Sequence, residues 1–253
     1  MTNAMMVLAA VSESSGVRGH SSAMFFGDGY MLSYLLCIAA LILSIVCSAR
    51  VKSTFAKYSK VDSKNGTPAW MVAKRILESN GLYDVDVVRT SGHLTDHYDP
   101  RTNVVALSDS VYDSTSLAAI GVAAHECGHA VQHAQDYIPI KLRTLIVPVA
   151  NFGGRAYFYI FLLGIVMGIA PLVNIGIILF AFVVLFQLVT LPVEFNASSR
   201  AIRTLDEQGV LGSDEIPAAR KTLNAAAMTY VASLAVSATQ LLRLLLLSRR
   251  NRR

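Results

Sequence analysis

The sequence predicts a mainly α-helical membrane protein with a small β-sheet in its hydrophilic part and three to four transmembrane or membrane-associated helices. Composition is the first observation behind this: 53% of the 253 residues are hydrophobic, 15% are charged, and the mean hydropathy is +0.48. A soluble domain runs near a quarter charged, and so apolar a chain cannot stay unfolded in water. The second observation is three long apolar segments, at residues 31–49, 157–193 and 225–247. The third is that the hydrophilic stretches between them alternate helix-period patterns with short β-branched runs.

Charge and cysteine usage narrow the class further. The net charge is +5, but Arg249, Arg250, Arg252 and Arg253 crowd one tail behind an apolar run. That tail suits a membrane surface better than a nucleic acid, and no interleaving of basic and aromatic residues points to RNA or DNA. Cys37 and Cys47 lie inside an apolar stretch and Cys127 is distant in sequence. So sparse a set is no disulfide framework and fits a reducing compartment.

Taken in order, residues 1–29 are a nearly uncharged N-terminal extension, and residues 30–49 are long enough for one spanning helix. A signal peptide would want its basic residues before the apolar run. Here Arg50, Lys52, Lys57, Lys60 and Lys64 follow it, which favours a retained anchor. Residues 50–144 are hydrophilic. Within them Trp70 to Asn80 reads as a short amphipathic helix closed by Gly81, while residues 85–89 and 103–107 read as strands separated by turn material at 99–103. The second strand is expected either at a sheet edge, where it could pair with an extended substrate, or inside the sheet. Residues 116–136 are Ala-rich and free of proline, with Ser114 or Ser116 as cap.

Residues 145–193 follow as a helical hairpin. Residues 157–193 carry no charge and would make a single helix of ~55 Å, too long for one span. Gly168, Pro171, Asn174 and Gly176 offer the break. Residues 194–224 are hydrophilic again, and residues 225–253 form an apolar helix, diluted by Arg243, with the basic tail. A hairpin returns the chain to its starting side, so regions 50–144 and 194–224 share a compartment. Lysines and arginines near the span ends are concentrated there, which places that side in the cytoplasm of a multi-pass cell-membrane protein. The tail dissents, and the expectation is that the last helix packs against the hydrophilic domain or lies in the interface.

The chemistry lies in His125-Glu126-Cys127-Gly128-His129. On a helix, residues four apart project from one face, so both imidazoles can reach one ion. Glu126 stands beside them, where a carboxylate can accept a proton from an activated water. A catalytic zinc needs a third protein ligand and an open position. His133 is two turns beyond His125, ~12 Å along a straight helix, which leaves it a supporting or surface role. Gln132 and Gln135 stand where the longer HExxHxxGxxH pattern needs Gly and His. Glu194 is the first charge after the uncharged hairpin. On its residues alone it is equally a third ligand or a solvated helix end.

Three segments carry a family likeness: Leu94-Thr-Asp-His-Tyr-Asp-Pro100, Ala123-Ala-His-Glu-Cys-Gly-His-Ala-Val-Gln132 and Leu191-Pro-Val-Glu-Phe-Asn-Ala-Ser198. Together, over residues 30–247, the chain resembles the YugP-like neutral zinc metallopeptidases of bacterial membranes. It is more distantly similar to the HtpX-like membrane zincins. The resemblance implies a zincin-like helical metallopeptidase domain with a gluzincin-type Zn2+ site: His125, His129 and Glu194 as ligands and Glu126 as general base. The chain departs from these patterns at Asn196 and Ser198, both acidic in the relatives, which bears on the residues behind the ligands.

The expected function is therefore hydrolysis of peptide bonds in a polypeptide substrate, membrane-associated in one version, by a zinc-activated water. His97, Tyr230, Arg200 and Arg203 are candidates to stabilise the oxyanion, and the sequence does not choose among them. The competing class is a non-catalytic membrane adaptor or quality-control component with a structural or vestigial zinc. A structural site would be closed by four protein ligands and would have no use for Glu126. A transporter is disfavoured because residues 157–193 hold no charge.

Overall fold

The computed structural model describes residues 28–250, so most of the N-terminal extension and the last three residues of the tail lie outside the described residues. Among those described, six helices and one three-stranded sheet are present, and the protein is mainly helical. Four of the helices are long and apolar enough to cross a membrane.

Helix α1, Asp28–Tyr58, runs through the first apolar stretch and continues two turns into the basic segment behind it. Leu32, Leu35, Ile38, Leu41, Ile42 and Ile45 are exposed along it, as expected of a surface whose solvent is hydrocarbon. Helix α2, Ala69–Ser79, starts behind Pro68 and buries Val72, Ala73, Ile76 and Leu77, one face at helical spacing. It stops at Asn80, followed by Gly81 at φ +75°, a conformation that costs glycine nothing.

The sheet departs from the sequence expectation in two ways. Strands β1, Asp86–Thr90, and β3, Val104–Ser108, lie one residue later than read, and a short strand β2, His97–Asp99, joins them. The order is β1-β3-β2, with β1 and β3 parallel (Asp86 opposite Val104) and β2 antiparallel to β3 (His97 opposite Ala106). Of the two positions left open for residues 103–107 the structure shows the interior one: β3 is central, and β2 is an edge. Burial explains this, because Val105, Ala106, Leu107 and Ser108 are all buried, the continuous pattern of an interior strand. Asn103 makes the turn into β3 at φ +57° and donates its side-chain amide to the Asp84 carbonyl.

Helix α3, Leu117–Ala134, is the centre of the hydrophilic domain. Ser116 caps it, its hydroxyl accepting from the Ala119 N–H at 3.3 Å. It packs between α2, the sheet and the later helices, in a core that includes Leu77, Leu107, Ile120, Leu205, Leu211 and Leu223.

Helices α4, Ile138–Val166, and α5, Ala170–Glu207, form the hairpin, turning at Gly168 with φ +68°. Each opens with a proline in its first turn, where the missing N–H is harmless. The two approach closely because their contacts are glycines: a Cβ on Gly153 would meet the Leu179 carbonyl oxygen at 2.6 Å, and one on Gly176 would meet Phe161 at 2.8 Å. Helix α5 does not break where the charges resume. It carries Glu194 in mid-helix and continues into the hydrophilic domain.

Helix α6, Ile216–Arg250, shows why the last apolar segment was hard to place. Its first turns pack on α3, while farther along it lies beside α1 and α5, with Leu244 buried against Phe161, Val173 and Phe180. Of the two placements expected for this helix, packing against the hydrophilic domain is seen in its first turns. Arg243 is accommodated by Tyr34 of α1: its guanidinium lies 4.6 Å from the ring centroid and donates to the hydroxyl at 3.3 Å. The end of α6 lies by the hairpin turn, where Ser248 and Arg249 share a cavity with Asn174.

Candidate active site

The site forms where α3 crosses α5. A helix places residues four apart on one face, so His125 and His129 stand together, ring centroids 4.7 Å apart and nearly perpendicular. Between them Gly128 faces α5, and a Cβ there would sit 2.8 Å from the Ala197 carbonyl oxygen. The missing side chain lets the helices touch backbone to backbone. That contact brings Glu194 across: one carboxylate oxygen lies 3.3 Å from His125 Nε2 and 3.7 Å from His129 Nε2. One donor atom from each of the three residues lies within 4.8 Å of the others.

Glu194 is buried, and a carboxylate is not left in such a place without positive charge. The two imidazoles face it, and Arg143 Nη1 approaches its second oxygen at 3.8 Å. Burial works against charging His129. The Glu194 carboxylate beside it and the field of Glu126, with Gln132 behind, nevertheless hold its pKa above the usual histidine value. The pocket thus favours a cation between the three groups. Two imidazole nitrogens and one carboxylate oxygen are a donor set that fits zinc.

Hydrogen bonds behind the candidate ligand atoms turn both rings to present Nε2. His129 Nδ1 lies 3.0 Å from Gln132 Oε1, and His125 Nδ1 lies 3.2 Å from Ser198 Oγ. With Nδ1–H donated outward, each Nε2 carries the lone pair a metal needs. Gln132 is held in turn, its amide donating to the Val193 carbonyl at 2.8 Å and to Asn196 Oδ1 at 2.9 Å. Asn196 and Ser198, the two positions that depart from the related patterns, are thus both used here as neutral acceptors or bridges.

Of the four oxyanion candidates, the structure brings two to the site. His97 lies on β2 and lines a cavity of about 790 Å³ with His125, Glu126, His129 and Glu194. Tyr230 lines the same cavity and also a second one of about 490 Å³ that shares His125, Glu126 and Glu194. Arg200 is instead a brace between helices, donating to Asn196 Oδ1 at 2.7 Å and to Gln135 Oε1 at 2.6 Å. Arg203 pairs with Glu207 one turn along, at 3.9 Å. His133 stands apart from the metal group against Tyr98, ring centroids 5.6 Å apart, and burial lowers its pKa. Cys127 is buried on the opposite side of α3, its thiol 3.5 Å from the Ala73 carbonyl, and burial raises its pKa so that it stays protonated.

Three contributors escaped the sequence reading: Gln132, Arg143 and Asp96. Gln132 was visible only as a failure to match the longer pattern. Its position, three residues after His129 on a buried helix face, was the usable signal. Arg143 counted merely as a charge flanking a span. Asp96, which lines both cavities, accepts from the Ser108 N–H at 2.7 Å and so pins the loop before β2 to the sheet.

Residues 33–249 match the family model described as "Putative neutral zinc metallopeptidase". The chain belongs to this family. It is also 49% identical over 217 residues to "Putative membrane protease YugP" of Bacillus subtilis (strain 168), covering 86% of this chain and 96% of that relative. No solved structure matches the chain. Zinc is the metal of the family, and the His125, His129 and Glu194 group offers it a site of suitable chemistry.

Two substitutions test this construction. Gly128→Ala forces a methyl group against the α5 backbone and is expected to lower stability by about 1–3 kcal/mol, the usual cost of overpacking. Thermal unfolding of the detergent-solubilised protein would measure it, with zinc retention falling in parallel as Glu194 moves away. Gln132→Ala removes the acceptor behind His129 and is expected to weaken zinc binding roughly 10–100-fold. Competition with a chromophoric chelator reads that change, and Gln132→Glu should recover much of the loss.

Proposed function

We propose that this chain is a membrane-integral zinc endopeptidase in which His125, His129 and Glu194 hold the metal and Glu126 is the general base. The observation that carries the reading is Glu194, whose carboxylate a membrane helix delivers to 3.3 Å from Nε2 of one histidine of the HExxH motif and 3.7 Å from Nε2 of the other. Zinc, when bound, supplies the Lewis acidity that makes a water nucleophilic near neutral pH and polarises a peptide carbonyl. Glu126 is outside the ligand group and lines both cavities, so its carboxylate is free to take the proton of the attacking water. The same carboxylic acid then returns the proton to the departing amine. Tyr230 stands where the cavities meet and is the best-placed hydroxyl to donate to the developing oxyanion. His97 borders only the larger one.

The two cavities favour a particular substrate. The smaller is bordered by Val51, Leu94, Val122, Leu223 and Ala226, between α1 and α6 where these helices leave their apolar stretches. The larger is lined by Asp99, Arg101, His133 and Arg143 together with Ile140, Val147 and Pro148, and runs beside the edge strand β2. A polypeptide apolar on one side of the cleaved bond and of mixed polar and apolar character on the other matches this pair, as a segment emerging from a bilayer would. The distribution of basic residues supports a cytoplasmic site. The test is cleavage of unfolded casein by the detergent-purified protein, which a zinc chelator should abolish and added zinc restore. Cleavage that survives complete metal removal would overturn the proposal.

A further inference from the structure

A groove of about 850 Å³ lies on the other side of the seam between α1 and α6, away from His125 and Glu126. Arg50 and Lys57 of α1 and Lys221 of α6 line it, and no acidic side chain does. Among the described residues none of the three takes part in an ion pair with a carboxylate. Lys57 lies 5.3 Å from the Tyr58 ring centroid. Three cations around one concavity repel each other, and each unbalanced charge is a standing preference for an anion. Thr54 and Asn224 add hydrogen-bond donors to the lining.

The position of the groove narrows the anion. Arg50 is the first charge after the uncharged stretch 31–49, so the cationic lining begins where α1 leaves hydrocarbon. Apolar side chains complete the lining: Phe195 of α5 and Met228 of α6, both exposed. A soluble phosphate has no use for them, whereas a lipid carries both a phosphate and an acyl chain. We infer that this groove binds the headgroup phosphate of an anionic phospholipid, with its acyl chain running over Phe195 and Met228. The inference does not depend on the chemistry of the metal site.

The groove and the active-site cavity share their walls. α1 gives Lys57 to one and Lys52 to the other, α6 gives Met228 to one and Tyr230 to the other, and on α5 Phe195 follows Glu194 directly. A lipid in the groove therefore braces the helices that carry Glu194 and Tyr230.

The experiment is retention of phosphatidylglycerol over phosphatidylcholine, read by native mass spectrometry of the full chain exchanged from bilayers made of equal parts of the two. Wild type should keep phosphatidylglycerol preferentially. The triple variant Arg50→Gln, Lys57→Gln, Lys221→Gln should lose that preference, at roughly fivefold for each cation removed. A control with equal charge loss at exposed sites elsewhere, Lys60→Gln, Lys74→Gln and Arg220→Gln, should keep it, as should Lys57→Arg with Lys221→Arg. The inference is overturned if both triple variants behave alike. It is equally overturned if inorganic phosphate displaces the lipid from wild type, which would assign the groove to a soluble anion.

Discussion

Glu126→Gln is expected to retain one zinc per chain and to lose proteolysis by about 10²–10⁴-fold, the range that a positioned general base supplies. The glutamine has the size of the glutamate and lies outside the metal group, so binding and fold should survive while proton acceptance does not. The loss should appear in kcat, with KM for an unfolded protein substrate little changed, because Glu126 acts on the water and not on the peptide. Steady-state cleavage of fluorogenic casein, beside zinc content by mass spectrometry, separates the possibilities. If zinc and cleavage both persist, Glu126 is not the base. If neither wild type nor variant cleaves while zinc stays bound, the non-catalytic reading of the site gains ground.

Glu194→Ala is expected to fall further. It removes one of the three proposed ligands and leaves the two imidazoles without the carboxylate they face, beside Arg143. Changes behind a ligand cost ~10–100-fold in metal affinity, so loss of the ligand itself should exceed ~100-fold. Zinc and activity should disappear together, and the variant should melt at the temperature of the chelated wild type. A calorimetric titration of the apoprotein measures the affinity directly. A variant that binds zinc as wild type does would mean that the third ligand lies elsewhere.

How much of this was legible in the sequence follows from which features are local. The spans were readable because hydropathy is summed over neighbours, and the hairpin turn because Gly168 and Pro171 announce it. His125 and His129 were readable because helical periodicity alone puts them on one face. Glu194 was not, on its residues. Its approach depends on the crossing of α3 and α5, and thus on Gly128 meeting the backbone of Ala197, which no local pattern records. Only the family likeness pointed to it. Gln132 and Arg143 were missed for the same reason.

The sheet illustrates the opposite failure. The sequence offers β-branched runs but no strand order, so β3 could not be placed at the centre, and three-residue β2 exists only through its pairing with β3. In α6, Arg243 lowered the hydropathy of a helix whose remedy, Tyr34, lies on the other end of the chain. Both open points concern partners distant in sequence, and both close once those partners are seen.

The central claim is a zinc held by two imidazoles and one carboxylate, with a position left for water. X-ray absorption of the zinc-loaded wild type tests it most directly. The account expects two histidine nitrogens and an oxygen shell that includes the Glu194 carboxylate, with one oxygen ligand exchanging for an added inhibitor anion. A zinc closed by four protein donors, or one with a sulfur neighbour from Cys127, would contradict it.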